Sequence, residues 1–261
     1  MSTALVVEND PSDPPARLAE WLTEAELPLT VVRPHAGDEL PETLDEYLAL
    51  VVLGGDQDAY PAADGTPGAP WFPRLEGLLR KAVRGRVPTL GVCLGAQLLA
   101  TAHGGLVERS TSGPEIGPGL VGRRDAADTD PLFKFVPLLP DVIQWHRDEI
   151  TELPLNAVLL AASTRYPYQA FRIGDRAWGV QFHLECDLEM IERWTASDAA
   201  TLAELGYDPE AVVAATAGAL ADVEEVWQPF AARFASLALG TLPDPDILNP
   251  GTGRTLPLLG N

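Results

Sequence analysis

The stretch that decides the fold reads PTLGVCLGAQLLATAHGG and runs from Pro88 to Gly105. It predicts a short apolar strand over 88–92, followed by a helix over 94–103 that ends at a pair of glycines. Cys93 stands between them, with one glycine two residues before it and another two residues after it. This spacing is typical of a nucleophile elbow, a tight strand-to-helix turn in which the glycines relieve crowding. The alternative is a buried structural cysteine, to which the residue type is also suited.

Strands and helices alternate through the first half of the chain. Short apolar runs predict buried parallel strands over 4–7, 29–33, 48–53 and 88–92. Apolar residues recur at helical spacing over 14–27, 71–84 and 94–103. This alternation predicts an α/β fold with a mostly parallel sheet and helices on both of its faces.

The second half of the chain is less regular. Further strands are predicted over 106–109, 119–122, 141–145, 157–162, 170–173 and 177–182. Turn signals at Pro167 and at Gly174-Asp175 predict hairpins. The pattern becomes helical from Leu188, with helices predicted over 190–205 and 209–239. We therefore expect a main domain over 1–190, a helical extension over 191–240 packed on it, and an extended or poorly ordered tail over 241–261.

Composition excludes several classes of protein. Acidic residues outnumber basic ones by 38 to 18, and the net charge is −20. Such a surface repels phosphate backbones, so we expect no nucleic-acid partner. The sequence contains neither a long uninterrupted apolar run nor a basic leader, so we expect neither a membrane span nor a signal peptide. The chain has only 2 cysteines, which make no disulfide framework and favour a cytoplasmic location.

A cysteine nucleophile needs a base, and the chain offers 4 histidines. His103 lies on the same predicted helix as Cys93, about three turns away and out of reach. His183 ends an apolar run, and Glu185 would share its face if the strand continued. A carboxylate there would accept a hydrogen bond from Nδ1 of the histidine and leave Nε2 to face the thiol. The position of Cys93 at a helix N-terminus also favours its thiolate form.

Several motifs together resemble a known family. Gly91-Val-Cys-Leu-Gly-Ala-Gln97, combined with Gly179-Val-Gln-Phe-His-Leu-Glu185, resembles the class I glutamine amidotransferases, which use a Cys-His-Glu triad. Gly54-Gly55 resembles the oxyanion loop of the family, and Glu115-Ile-Gly117 resembles its glutamine-holding segment. Gln144-Trp-His146 is similar to a motif of stand-alone members related to the amidotransferase half of GMP synthase. The likeness covers about residues 4–190 and implies an open, flavodoxin-like sheet.

The resemblance implies a role for each matching residue. Cys93 would attack the side-chain amide of glutamine, while His183 moves the protons and Glu185 holds the imidazole. The N–H groups of Gly55 and Leu94 would bind the oxyanion. Substrate contacts are implied at Gly54, Gln97, Glu115 and Gly117. No metal and no cofactor are expected.

Other residues near these motifs are interpreted more simply. His146 is interpreted as a structural histidine, Trp145 as a core residue and Cys186 as a packing residue. Asp148-Glu149 is interpreted as a solvated acidic pair.

Two departures from the family pattern bear on the substrate. Asp56 follows the two glycines where the family often has proline, which adds a carboxylate near the oxyanion loop. Pro118 stands where an aromatic residue is usual, and it removes one backbone donor. The substrate would then be held differently, or would not be free glutamine.

Three functions compete. The first is a glutaminase that passes ammonia to a synthetase, and it requires a partner subunit because we find no ATP-using domain and no phosphate-binding G-x-x-x-x-G-K-[ST] motif. The second is a stand-alone hydrolase of γ-glutamyl amides or peptides with the same thioester chemistry. The third is a catalytically silent binding module, which the intact triad disfavours. Glutamine or a γ-glutamyl compound is the expected ligand.

Overall fold

Twelve strands and six α-helices are found in the computed structural model, which describes residues 2–242. The strands are β1 (Thr3–Val7), β2 (Leu29–Val32), β3 (Tyr47–Val52), β4 (Thr89–Val92), β5 (Leu106–Arg109), β6 (Glu115–Leu120), β7 (Gly122–Arg123), β8 (Asp141–His146), β9 (Asp148–Glu152), β10 (Ala157–Ala162), β11 (Ala170–Ile173) and β12 (Ala177–Val180). The helices are α1 (Ala16–Glu24), α2 (Phe72–Gly85), α3 (Leu94–Thr101), α4 (Leu188–Ser197), α5 (Ala199–Glu204) and α6 (Pro209–Ala238).

Eight of the strands form one sheet in the order β2-β1-β3-β4-β12-β11-β10-β7. The five strands from β2 to β12 in this order run parallel to their neighbours. β11, β10 and β7 extend the sheet in antiparallel fashion. The predicted mostly parallel sheet is therefore confirmed, as are the hairpins predicted at Pro167 and Gly174-Asp175.

Helices cover both faces of this sheet. Successive residues of β1 point to opposite faces, so that Val6 belongs to one apolar core and Val7 to the other. The first core lies between the sheet and helices α1, α4 and α6, and the second lies between the sheet and helices α2 and α3. A strand buried on both faces has no place for polar residues, which is why β1 and β3 are continuous apolar runs.

The second half of the chain differs from the prediction in two places. Strand β9 was not predicted, because Asp148-Glu149 was interpreted as a solvated pair; the structure pairs these residues with β5 and buries Asp148. The strand predicted over 119–122 is divided, since β6 pairs with β8 and β7 joins the edge of the main sheet. β6 begins earlier than predicted, at Glu115, and forms a two-stranded sheet with β8.

The helical region follows the sheet and packs against it. The helix predicted over 190–205 is interrupted at Asp198, whose side chain accepts a hydrogen bond from the Trp145 indole at 3.0 Å. Helix α6 buries Trp227 and Phe230 against the sheet, which supports the predicted helical extension, although its boundaries stay a prediction. The predicted tail falls, from residue 243 onward, outside the described residues. No helix within residues 2–242 has both the length and the apolar character needed to span a bilayer.

Two glycines let helix α3 approach the sheet closely. A Cβ built on Gly91 would lie 2.5 Å from the carbonyl oxygen of Gly95. A Cβ built on Gly95 would overlap the carbonyl oxygen of Val52 in the neighbouring strand β3. The flanking glycines of the elbow are thus required by contact with backbone atoms that have no freedom to rotate away.

Alanine substitution at two helical glycines tests this close approach. Gly95→Ala should lower the free energy of unfolding by about 1–3 kcal/mol or more, because the added methyl group overpacks the helix against the sheet. Gly77→Ala in helix α2 is the matched control, since a Cβ there meets no atom within 4 Å. It should leave stability unchanged or raise it by up to ~1 kcal/mol through helix propensity. Urea unfolding measures both, and equal effects of the two substitutions would contradict the interpretation.

Candidate active site

The cysteine of the elbow sits at the centre of the sheet, where strand β4 ends and helix α3 begins. Its backbone has φ 50° and ψ −109°, a conformation that non-glycine residues rarely adopt. The Cys93 N–H donates to the Val180 carbonyl at 2.8 Å, which ties the turn to the neighbouring strand β12. Cys93 is 6% exposed and lines a cavity of about 420 Å³. Strain of this kind is maintained only where the surrounding structure enforces it, as at catalytic turns.

His183 and Glu185 lie beyond the end of β12 and face this cysteine. His183 exchanges two backbone hydrogen bonds with Ile143 of strand β8, which fixes the position of its ring. Its Nδ1 lies 2.7 Å from Oε1 of Glu185, and the second carboxylate oxygen accepts the Leu184 N–H at 2.9 Å. Because the carboxylate requires a donor, Nδ1 carries a proton and Nε2 is left for the Cys93 thiol, which is in hydrogen-bonding contact with the ring.

The environment of His183 favours the imidazolium form. Burial by itself lowers the pKa of this histidine, but the Glu185 carboxylate and the Cys93 sulfur reverse that effect and hold the pKa well above 6.5. The indole ring of Trp194 packs on the imidazole at 4.7 Å between ring centroids. The three side chains are thus arranged for proton transfer between sulfur and imidazole, with His183 and Glu185 buried.

Of the predicted oxyanion donors, Gly55 lines the same cavity and Leu94 directly follows Cys93 in the chain. A Cβ on Gly55 would lie 3.0 Å from Cδ2 of Leu94, so these two residues are in direct contact. Among the described residues, neither the Gly55 N–H nor the Leu94 N–H donates to a protein acceptor. Gly54 lies next to the imidazole, since a Cβ built on it would come within 3.1 Å of Cε1 of His183. The Leu94 N–H at the N-terminus of α3 and the Gly55 N–H in the adjacent loop are therefore available to receive a developing negative charge.

Gln97 lines the cavity and donates a hydrogen bond to Gln181, a residue to which the sequence motifs assigned no role. Its Nε2 lies 3.2 Å from Oε1 of Gln181 and 3.4 Å from the Asp148 carbonyl. Gln181 in turn directs its Nε2 toward the Cys93 sulfur at 3.7 Å. Gln181 precedes His183 by two residues, the spacing that places side chains on one face of an extended chain. That signal was present in the sequence, and it places the Gln181 amide as a donor to the nucleophile predicted at Cys93.

Glu115 and Gly117 are not among the residues that line the cavity, although their neighbours Pro114 and Ile116 are. The Glu115 carboxylate accepts from Ser163 at 2.9 Å and from Gln169 at 2.6 Å, and it lies 3.3 Å from Nε2 of His146. Glu115 therefore lies behind the cavity wall and holds His146. A direct substrate contact at Glu115, Gly117 or Gly54 stays a prediction.

One interpretation made from the sequence near this wall was wrong. Trp145, interpreted as a core residue, is half-buried against the first apolar core and also lines the cavity, with its indole N–H donating to Asp198. Asp148 was interpreted as solvated, but it is 8% exposed and lines the cavity, and its Oδ1 lies 3.8 Å from the Arg109 guanidinium. A tight turn at Arg147 joins β8 to β9 and places Asp148 at the cavity. The turn was not predicted because acidic residues are more often found in solvated segments.

The loop after β1 contributes three residues to the cavity that belong to none of the motifs recognised in the sequence. Asp10, Ser12 and Asp13 line the cavity, and Asp13 is 6% exposed. Burial raises the pKa of Asp13 to about 6, opposed by the His183 charge and by a hydrogen bond from Ser12. The carboxyl ends of parallel strands meet at one edge of a sheet, so polar residues after β1, β3 and β4 could have been grouped from the sequence.

Two members of the triad and the neighbouring Cys186 form the one group of described residues that lie close enough together to share a metal ion. His183, Glu185 and Cys186 offer ligand atoms within 4.8 Å of one another among the described residues. The histidine and the glutamate already bond each other, and burial together with the Glu185 charge raises the pKa of the Cys186 thiol well above its usual value. A protonated thiol is a poor ligand. Cys186 is 3% exposed, in agreement with its interpretation as a packing residue.

The fold and the site define an α/β protein with a cysteine elbow and a buried His-Glu pair. A model of the glutamine amidotransferase class-I family matches residues 16–193. The chain belongs to the class I glutamine amidotransferase family, and the resemblance drawn from its motifs is confirmed.

Similar proteins carry several different names. Gamma-glutamyl peptidase 4 of Arabidopsis thaliana is 33% identical over 59% of this chain, and the match spans 60% of that protein. The glutamine amidotransferase-like protein YfeJ of Salmonella typhimurium is 31% identical over 66% of this chain and 71% of its own length. A GMP synthase of Christiangramia forsetii is 36% identical over 56% of this chain, but the match spans only 26% of that enzyme. The crystal structure of a glutamine amidotransferase from Thermotoga maritima superposes with a TM-score of 0.78, 25% identity, and coverage of 90% of this chain and 98% of that one.

The raised pKa of Asp13 predicts a pH-dependent cost to stability. The carboxylate ionises near pH 3.8 when unfolded and near 6 when folded, so the wild type loses stability as pH rises from about 4 to about 6. Asp13→Asn should therefore be more stable than the wild type at pH 7.5 by up to ~3 kcal/mol, and equal to it near pH 4. Urea unfolding at the two pH values measures this difference. A variant that is less stable at pH 7.5, or offset equally at both pH values, would exclude a buried ionised carboxylate.

Proposed function

We propose that this protein hydrolyses the γ-amide bond of glutamine or of a γ-glutamyl compound through a thioester on Cys93. The observation that carries the proposal is the alignment of three side chains: a strained cysteine at a helix N-terminus, an imidazole in contact with its sulfur, and a fully buried carboxylate on Nδ1 of that imidazole. This is the arrangement of an activated nucleophile, its base and the group that orients the base.

The first half of the reaction forms the thioester. In the resting pair, Nε2 of His183 already holds the proton of the thiol, and Sγ of Cys93 attacks the δ-carbonyl carbon of the substrate as the thiolate. The carbonyl oxygen becomes an oxyanion that accepts hydrogen bonds from the N–H groups of Gly55 and Leu94. One such donor typically lowers the activation barrier by ~3 kcal/mol. The tetrahedral intermediate collapses as the C–N bond breaks, and the leaving nitrogen takes the proton from His183.

The second half of the reaction releases glutamate. A water molecule takes the place of the departed amine, and His183 removes a proton from it as it attacks the thioester carbonyl. The same two N–H groups receive the second oxyanion. The C–S bond then breaks, the sulfur leaves as a thiolate beside the protonated His183, and glutamate departs. Glu185 keeps the tautomer of the imidazole fixed and stabilises its cationic form throughout both steps.

Two fates of the leaving nitrogen fit this chemistry. In the first, glutamine is the substrate and its ammonia passes to an acceptor held by a synthetase subunit, as the likeness to GMP synthase suggests. In the second, a γ-glutamyl compound is hydrolysed without any partner, as the likeness to the γ-glutamyl peptidase suggests. The cavity volume of about 420 Å³ favours the second, since it is in the range that accommodates ligands larger than a single amino acid. A cytoplasmic location stays a prediction from the cysteine content.

Labelling with a glutamine-like electrophile tests the nucleophile, and the two cysteines provide their own control. 6-Diazo-5-oxo-L-norleucine should modify the wild type and Cys186→Ala once, at Cys93, as measured by intact and peptide mass spectrometry. Cys93→Ala should not be labelled. It should also lose at least about 10⁴-fold in the release of glutamate from glutamine or γ-glutamyl peptides, because no other group can form the thioester. Labelling confined to Cys186 would refute the assignment.

A further inference from the structure

The sulfur of Cys93 meets a second polar side chain besides that of His183. Gln181 directly follows strand β12 and directs its Nε2 toward Sγ of Cys93 at 3.7 Å. Its backbone N–H donates to the Gln169 carbonyl at 2.8 Å, and the Cys93 N–H donates to the carbonyl of Val180, the residue before it. The backbone therefore holds the two side chains next to each other. The proposed reaction uses His183 and gives no part to this amide.

The orientation of the Gln181 amide is fixed by Gln97. One end of the Gln97 side chain lies 3.4 Å from the Asp148 backbone carbonyl and 3.2 Å from the Gln181 amide. A backbone carbonyl only accepts hydrogen bonds, so the end of Gln97 that faces it is the NH₂ group. The same NH₂ group then faces the oxygen of Gln181, which leaves the NH₂ group of Gln181 pointing at the sulfur. The orientation of both amides thus follows from one backbone acceptor.

Both amides of this relay are buried. Gln97 is 4% exposed and Gln181 is 1% exposed, so their hydrogen bonds are made chiefly within the protein. An NH₂ group has two hydrogens, and those of Gln97 are directed at the Asp148 carbonyl and at Oε1 of Gln181. The NH₂ group of Gln97 is therefore used inside the protein and acts on the site through Gln181.

The sulfur that the Gln181 amide faces carries negative charge in the resting enzyme. The Cys93 sulfur and the Glu185 carboxylate hold the pKa of His183 well above 6.5, so the imidazole is a cation beside a thiolate. Cys93 is 6% exposed, and most of its surface is covered by protein. A hydrogen bond to the charged form of a group favours that form. His183 supplies one donor to the thiolate, and the Gln181 amide is in place to supply another.

We propose that Gln181 is a further catalytic residue, whose amide N–H donates to the Cys93 thiolate and stabilises it, and that Gln97 is a positioning residue, which holds this amide in the donating orientation. The inference rests on the proposed γ-amide hydrolysis. Neither glutamine makes or breaks a covalent bond. The contact from Gln181 is strongest while the charge is on the sulfur, and it weakens as Sγ bonds the substrate carbon and the charge moves to the carbonyl oxygen.

Replacement of Gln181 by a side chain of similar length without a donor tests the inference. The ultraviolet absorbance of the thiolate is followed across pH without substrate, as the difference between each protein and its Cys93→Ala counterpart. In Gln181→Met, the pH at which half of this absorbance is present should rise by about 1 unit, the size expected for one lost hydrogen bond to a charged group. On its acidic limb, kcat/KM should fall roughly 10-fold, with a much smaller change at higher pH where the thiolate is formed in both proteins.

Two further variants separate the relay from other causes. Gln97→Met should shift the thiolate curve in the same direction, and the double variant should shift it no further than Gln181→Met alone, because Gln97 acts through Gln181. Thr216→Val is the matched control, since it removes another buried hydrogen bond, from Oγ1 to the Val212 carbonyl at 2.9 Å in helix α6. It should leave the curve unchanged.

No charge is altered in any of these variants. The titratable groups that interact around the sulfur are His183, Glu185 and Cys186, which follow β12, and Asp13, which follows β1. All four are kept, and each substitution replaces one neutral side chain by another. A shift of the curve therefore reports a lost donor.

The outcomes separate this inference from the proposed function. If the wild type hydrolyses neither glutamine nor γ-glutamyl peptides, γ-amide hydrolysis is wrong, and the thiolate curve still decides whether Gln181 donates to the sulfur. If the wild type is active and Gln181→Met has the curve of the wild type, or one shifted no more than that of Thr216→Val, the inference is wrong while the hydrolysis stands. A Gln97→Met variant with an unchanged curve and a raised KM would overturn the positioning role and leave Gln97 as a substrate contact.

Discussion

The site depends on one buried electrostatic contact, the hydrogen-bonded pair of Glu185 and His183. Glu185 is 0% exposed, so no water compensates its charge. Its two oxygens are satisfied by Nδ1 of His183 and by the Leu184 N–H. Breaking a buried pair by removing one partner costs several kcal/mol, because the other charge remains unpaired. The pair therefore fixes both the tautomer of the imidazole and the side from which Cys93 meets it.

Around this pair, the fold holds an arrangement that is unfavourable in itself. The backbone of Cys93 is strained, Asp13 is ionised only at a cost, and several aspartates of the cavity repel one another. Two apolar cores, one on each face of the sheet, supply the stabilisation that offsets these costs. Polar residues from four different segments converge because the parallel strands all end at the same edge. The rigid sheet thus supports an acidic cavity around Cys93.

The sequence predicted the parts of the molecule that local rules govern. The sheet could be predicted because short apolar runs, as in β1, β3 and β4, are typical of buried parallel strands. The elbow could be predicted because glycines on both sides of Cys93 are typical of a tight strand-to-helix turn. Glu185 could be paired with His183 because a spacing of two holds in any extended segment. The wall of the cavity is different: Asp13, Asp148 and Trp194 come from distant loops and a late helix, and only the folded chain brings them together. Acidic loop residues are ordinary on a protein with a net charge of −20, so nothing local marked these as buried.

The protonation of His183 tests this account most directly. The ring nitrogens of His183 should be followed by ¹⁵N NMR across pH in the wild type and in Glu185→Gln, in which the carboxamide keeps the shape and removes the charge. The account predicts that His183 stays protonated well above pH 6.5 in the wild type. In the variant its pKa should fall, because burial is then opposed by the Cys93 sulfur alone. A wild-type His183 that titrates at or below 6.5, or a pKa that is the same in both proteins, would contradict it.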